Sequence, residues 1–200
     1  MTDNFIVLAS ASPRRAEILA ALGIPFVVDA AEVDETLLQG ESAPDAASRL
    51  SQEKAGRVAL RHPDRWVLGA DTLVVLEDAT LGKPRDKEDA RRMLRLLSGR
   101  EHRVVTGVAL RRGTGAVRSL SEESRVEIAP LSPEEIAWYV ETGEPLDKAG
   151  AYAVQGLGSR FIEAVRGSYT NVMGLPARAV YRLMREAEDP DLALLALSSP

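Results

Sequence analysis

The stretch Ser10-Ala11-Ser12-Pro13-Arg14-Arg15 puts two hydroxyls and two guanidinium groups at what reads as a helix start, where backbone N–H groups and the helix dipole attract anions. Taken alone, the same turn is equally an ordinary helix cap with surface arginines. Lys54 falls on an apolar helical stripe, so it either lays its stem along the core with its ammonium at the rim or points at a bound anion. Asp71 is the sharper feature. It interrupts Val67-Leu68-Gly69-Ala70-Asp71-Thr72-Leu73-Val74-Val75, a run of the kind buried on both faces, where an unpaired charge costs on the order of several kcal/mol. Such a carboxylate must face a cation, a metal or a hydrogen-bonded water, or mark a strand break; the plain alternative is a structural Asp capping a turn beside Gly69. Gly82-Lys83-Pro84 holds a lysine between a small and a rigid residue, which aims its ammonium. Of the loop acids Glu32, Asp34 and Glu35, the first reads best as solvated, and the others could join Asp71 in an oxygen site for Mg²⁺. Cations at 14, 15, 54 and 83 set against acids at 35 and 71 describe a phosphate and a divalent metal, hence phosphoryl chemistry on a nucleotide.

Strands and helices must deliver these groups. Phe5 to Ala9 reads as a strand, followed by a helix with Ser12 as N-cap, Pro13 at its first position and Gly23 past its end. Ile24 to Val28 is a second strand, and 29–40 an acidic loop. Ser42 and Asp45 form a capping box for a helix to about Leu60, with Ala47, Leu50 and Val58 as its stripe. Trp66 to Leu76 is a strand, and Asp86 with Asp89 caps a helix through Leu97 that Gly99 stops. Val104 to Leu110 and Val117 to Ile128 pair around Gly113-Thr114-Gly115. Ser132-Pro133-Glu134-Glu135 starts another helix, Gly150 to Val165 reads as two strands broken at Gly156-Leu157-Gly158, and Leu175-Pro176 opens a final helix on Val180, Leu183 and Met184. After Pro190 the tail either packs or frays. The expected fold is one α/β domain over 1–187, a mixed sheet flanked by helices with two lobes around a nucleotide cleft, and a tail over 188–200.

Composition narrows the chemistry. With 200 residues, 45% hydrophobic and 28% charged, the chain is globular rather than disordered or rod-like. The absence of cysteine removes thiolate nucleophiles, disulfides and zinc–thiolate sites. Two histidines, His62 and His102, show no visible partner and no Ser/His/Asp set, so a metal here is held by oxygen. A net charge of −5 argues against phosphate-backbone binding to nucleic acid, and the longest apolar runs are too short to span a membrane. The start Met1-Thr2-Asp3-Asn4 lacks the basic region of a signal peptide, so a cytoplasmic location is expected. Only four of the twenty-five basic residues are lysine, at 54, 83, 87 and 148, which makes each lysine informative where a compact ammonium is needed.

L-A-S-A-S-P-R-R, V-D-E-T, Gln52-Glu53-Lys54-Ala55, L-G-A-D-T, G-K-P, L-S-G, D-K-A-G-A-Y-A-V-Q-G-L-G and N-V-M-G-L-P, in this order, resemble the Maf family of nucleotide pyrophosphatases from about Ile6 to Met184. The resemblance implies a cytoplasmic, often dimeric enzyme that uses Mg²⁺ or Mn²⁺ to cleave a nucleoside triphosphate to the monophosphate and pyrophosphate. It implies a fold like that of house-cleaning inosine triphosphatases; the net charge and the short apolar runs leave neither nucleic acid nor membrane as an expected partner. Its site residues fall on Ser10, Arg14, Arg15, Glu35, Lys54, Asp71, Lys83 and Gln155, with Asp71 as proton acceptor and Glu35 and Asp71 toward the metal. Arg14 in S-P-R-R, Thr72 in A-D-T and Gln155 in V-Q-G resemble the dTTP/UTP branch rather than the 7-methyl-GTP branch, which looks like S-P-W-R, S-D-Q and S-E-G. Thr170 stands where an aromatic residue or His is usual before N-V-x-G-L-P. Two rivals accompany the leading reading: a 7-methyl-GTP pyrophosphatase, and a nucleotide-binding regulator of cell division without significant turnover.

Overall fold

Apolar β-branched runs become strands and capped periodic segments become helices in the computed structural model, which describes residues 5–197. In chain order these are β1 (Ile6–Leu8), α1 (Pro13–Ala21), β2 (Phe26–Val28), α2 (Ala43–Ala59), β3 (Trp66–Leu76), β4 (Ala79–Leu81), α3 (Lys87–Leu97), β5 (Glu101–Arg112), β6 (Arg118–Ile128) and α4 (Pro133–Glu141). Three 3-10 turns follow at 144–147, 149–151 and 156–161, then β7 (Ile162–Arg166), α5 (Tyr169–Val172), α6 (Ala177–Glu186) and α7 (Pro190–Leu195). The seven strands make one mixed sheet in the order β2-β1-β3-β5-β6-β7, with β4 paired to β3. β1 runs parallel to β2 and β3, setting Val7 opposite both Val27 and Val67, while β4 and β7 are antiparallel to β3 and β6. The α/β class and the mixed sheet therefore stand as read from the sequence.

The chain divides into two compact units, one formed by residues up to Asp71, Thr106–Glu122 and residues from Gly174 on, the other by Thr72–Val105 and Glu123–Met173. In the first unit, Val7, Ala9, Ala55, Val58, Val67 and Ala109 form a buried cluster under α2. Two glycines set how deeply α2 sits. A Cβ at Gly69 of β3 would collide with the Ser51 carbonyl, and one at Gly107 of β5 with the Ala47 carbonyl, so helix and strands meet at backbone distance. The helix starts as expected, with the Ser42 hydroxyl accepting from the Asp45 N–H, but the return half of the box is the Ser42 hydroxyl donating to the Asp45 carboxylate at 2.5 Å. In the second unit, Val74, Leu94, Leu97, Val126, Tyr139 and Phe161 belong to one buried cluster. At α4 the capping box is complete, Ser132 and Glu135 bonding each other's backbone N–H.

Three expectations need correction. Gly150 to Val165 is not two strands, because Gly150 (φ 71°), Ala151 (φ 59°) and Gly156 (φ 75°) take left-handed backbone that no strand can continue. Only β7 is a strand there. The last helix is α7 rather than α6. Asp189 caps it, accepts from Trp66 Nε1 at 2.9 Å and Arg112 at 3.1 Å, and Leu192 and Leu195 are buried, so the tail packs through Leu195. Both histidines also have partners: His62 Nε2 lies 2.8 Å from Asp29 Oδ2, and His102 Nε2 lies 2.7 Å from the Tyr152 hydroxyl.

His102 has a measurable consequence. Its ring is buried, 2% exposed, and burial lowers its pKa from 6.5 to about 4. Between those values the unfolded chain binds a proton that the folded one refuses, so this group's contribution to stability is present above about pH 6.5 and is lost as pH falls toward 4. The full swing is on the order of 3 kcal/mol. Urea denaturation from pH 7.5 to 4 should show this slope in the wild type and a flatter one in His102→Gln, whose amide oxygen can accept from Tyr152. Parallel curves would show that His102 titrates as readily in the folded protein as outside it.

Candidate active site

The first unit gathers six of the expected residues. Ser10 lies two residues past the end of β1 and is 8% exposed, and its hydroxyl oxygen accepts from the Ser12 N–H at 3.3 Å and from Arg15 Nη1 at 2.8 Å. Ser12 has N-cap backbone geometry, yet its side chain makes no capping bond, and its own N–H donates to the Ser10 hydroxyl. Arg15 is no surface arginine. It is 9% exposed, and its Nε donates to the Gly174 carbonyl at 2.8 Å, a contact between residues 159 apart in the chain. Burial lowers the Arg15 pKa, Asp71 opposes this, Arg14 adds to it and Glu35 opposes it, so these four charges share one electrostatic neighbourhood.

Lys54 resolves the two readings of its stripe in a third way. Its ammonium is inside, 7% exposed, donating to Asp71 Oδ1 at 2.5 Å and to Glu35 Oε1 at 2.6 Å. The cause is the backbone approach at Gly69: Asp71 follows two residues later on the same face of β3, and Lys54 follows Ser51 by three on α2, so the two meet where helix and strand are closest. Gly69 makes no turn, so the reading of Asp71 as the cap of a local turn fails; the residue lies within an unbroken strand beside a cation. The acidic loop divides as well. Asp34 turns back to the Thr36 N–H and hydroxyl, and Glu35 reaches the Lys54 ammonium.

Whether this set suits a hard divalent cation can be judged from its donors. Two carboxylates already converge on a single positive nitrogen, and Mg²⁺ is commonly held by one or two carboxylates, with water and substrate phosphate completing its shell. Among the described residues no three His, Cys, Asp or Glu side chains group into a ready-made cage. Glu35 and Asp71 fit the first arrangement and not the second.

A family profile described as Maf-like protein matches residues 5–187. The chain belongs to the Maf-like family. Relatives include a dTTP/UTP pyrophosphatase from Myxococcus xanthus, 52% identical over 94% of this chain and 95% of its own length, and one from Symbiobacterium thermophilum, 49% identical over 90% and 93%. A HAM1 protein from Coxiella burnetii shows a looser likeness, with 20% identity and a TM-score of 0.43 over 63% of this chain and 73% of that one.

The remaining expected residues of this Maf-like chain lie in the second unit. Thr72 is half-buried, and strand alternation sends its side chain to the face opposite Asp71. Lys83 is exposed with no ion pair among the described residues, whereas Lys87 is bonded to Glu141 and the half-buried Lys148 to Asp147. The Lys83 loop is tied to the segment leading to Gln155, since the Gly150 N–H donates to the Gly82 carbonyl at 3.1 Å. Gln155 is half-buried just ahead of the 156–161 turn. Reading the sequence missed the Gly174 carbonyl that holds Arg15, and its only signal was a place within N-V-M-G-L-P. No helix among the described residues is long and apolar enough to cross a membrane.

Proposed function

We propose that this protein hydrolyses dTTP and UTP to the monophosphate and pyrophosphate. The observation that carries the reading is the buried Lys54 ammonium held between Asp71 and Glu35, beside Arg15 and Ser10, in a Maf-like chain about half identical to relatives named for that activity. In this reading water attacks the α-phosphorus, a new O–P bond forms, the α–β bridging bond breaks, and pyrophosphate leaves. Asp71 takes the water's proton, with its carboxylate fixed by the Lys54 bond to Oδ1. Glu35 and Asp71 hold Mg²⁺ or Mn²⁺, which when bound neutralises phosphate charge. Arg14, Arg15 and Ser10 receive phosphate oxygens at the start of α1, and Lys83 supplies a further ammonium to the triphosphate. A cytoplasmic location and a homodimer rest on the family resemblance alone, and the net charge of −5 speaks against nucleic acid as partner.

Incubation with dTTP, UTP, GTP and 7-methyl-GTP in Mg²⁺ or Mn²⁺ tests the assignment. The pyrimidine substrates should give monophosphate and pyrophosphate. Initial release of inorganic phosphate with UDP would place the attack at the γ-phosphorus and overturn the reading, and absence of turnover on every substrate would favour a binding regulator.

Gln155 is proposed to read the base. Uracil presents acceptor, donor and acceptor along its pairing edge, and a carboxamide offers both a donor and an acceptor, whereas a carboxylate only accepts. Gln155→Glu should therefore cost UTP and dTTP about 1–3 kcal/mol of transition-state binding and shift preference toward GTP and 7-methyl-GTP. The kcat/KM ratios across these four substrates decide it, and an unchanged ratio would leave Gln155 as a brace for the turn that follows.

A further inference from the structure

Two side chains that the proposed chemistry does not use grip the backbone on both sides of Gln155. Tyr139, on α4, has no exposed surface. Its hydroxyl donates to Glu144 Oε1 at 2.7 Å and accepts from the Ala153 N–H at 3.1 Å. Glu144, which opens the 144–147 turn, also accepts from the Gly158 N–H on Oε1 and the Leu157 N–H on Oε2, each at 2.9 Å. These bonds fall two residues before Gln155 and two and three residues after it.

The glycines show how closely the turn is moulded on this pair. A Cβ at Gly158 would strike the Tyr139 hydroxyl and the Ala153 carbonyl, and one at Gly156, which sits at φ 75°, would come within 2.6 Å of Glu144 Oε2. Burial alone would raise the Glu144 carboxyl, but the Leu157 N–H, the Tyr139 hydroxyl and the Gly158 N–H together hold it below its ordinary value. Burial, and then the bond to Glu144, pushes the Tyr139 phenol up. At neutral pH the donor thus keeps its proton and the acceptor its charge, and charge-assisted hydrogen bonds are the stronger kind.

We propose that Tyr139 and Glu144 are positioning residues for base selection, fixing the backbone around Gln155 and with it the direction in which the carboxamide is presented. This rests on the reading of Gln155 given above. Glu144→Gln keeps the shape but turns an NH₂ toward one of the N–H or O–H donors, and Tyr139→Phe removes the hydroxyl that links Ala153 to Glu144.

Both variants are compared with Gln155→Ala by two measures: the ratio of kcat/KM for UTP to that for GTP, and the inhibition constant of inorganic tripolyphosphate, which has no base to select. Gln155→Ala should collapse the ratio. Glu144→Gln and Tyr139→Phe should each lower it about 3- to 10-fold, the scale of one lost hydrogen bond, with tripolyphosphate inhibition unchanged. A wild-type ratio in Gln155→Ala would overturn the base reading and this proposal with it. A changed ratio there, beside clamp variants that lose activity equally on UTP and GTP or keep the wild-type ratio, would overturn the clamp alone. Should Tyr139→Phe fail to fold, Glu144→Gln, altered at a half-buried side chain, decides the question.

Discussion

Asp71→Asn is expected to lower turnover of dTTP and UTP by about 10²–10⁴-fold while nucleotide binding and fold persist. The amide keeps the carboxylate's volume at a site only 6% exposed, and its oxygen can still accept from Lys54 Nζ in place of Oδ1. What it loses is the capacity to take a proton from water and to neutralise positive charge. The fold survives because Lys54 is not left without a counter-ion: Glu35 remains, 2.6 Å from the ammonium. Single-turnover rates, calorimetric titration with a non-hydrolysable triphosphate and circular dichroism separate chemistry, binding and folding. If the folded variant turns over near the wild-type rate, Asp71 is merely the counter-ion of Lys54 and the proton goes elsewhere.

Asp71 was legible because its oddity is local: a carboxylate within an apolar strand must be compensated wherever that strand packs. The starts of α2, α3 and α4 were legible for the same reason, since a cap is written within four residues of the N–H it satisfies. The partner of Lys54 was not. A helical stripe says which side of α2 is inward but not what waits there, and that depended on Gly69 and Gly107, whose missing side chains become informative only once helix and strands are together. The sequence leaves Arg15 open between a phosphate ligand and a surface arginine, because the carbonyl that receives it lies 159 residues away. The false strand after Gly150 had suitable apolar residues, and the structure departs there because Ala151, a residue with no turn signal, is held at positive φ. Gln155 sits in that segment, so the expected base reader occupies a moulded turn rather than a strand.

The pairing of Lys54 makes a second, thermodynamic expectation. Lys54→Met should destabilise the protein by about 3–5 kcal/mol, because it leaves the Asp71 carboxylate buried without its cation. Glu35 contributes little to that loss, since its side chain is 57% exposed and regains water when the ammonium is gone. The penalty therefore belongs to the stranded charge, not to the missing lysine stem, which methionine largely replaces. Two further variants separate these causes in urea denaturation. Adding Asp71→Asn to Lys54→Met removes the stranded charge and should recover most of the loss, a coupling that independent sites would not show. Lys54→Arg keeps a positive charge but spreads it over a planar fork that must fit where α2 and β3 approach at backbone distance, so it should recover only part of the loss. Additive losses in the double variant would mean that Asp71 is compensated by groups other than Lys54. That result would also remove the reason for treating the Lys54 bond as what fixes the proton acceptor.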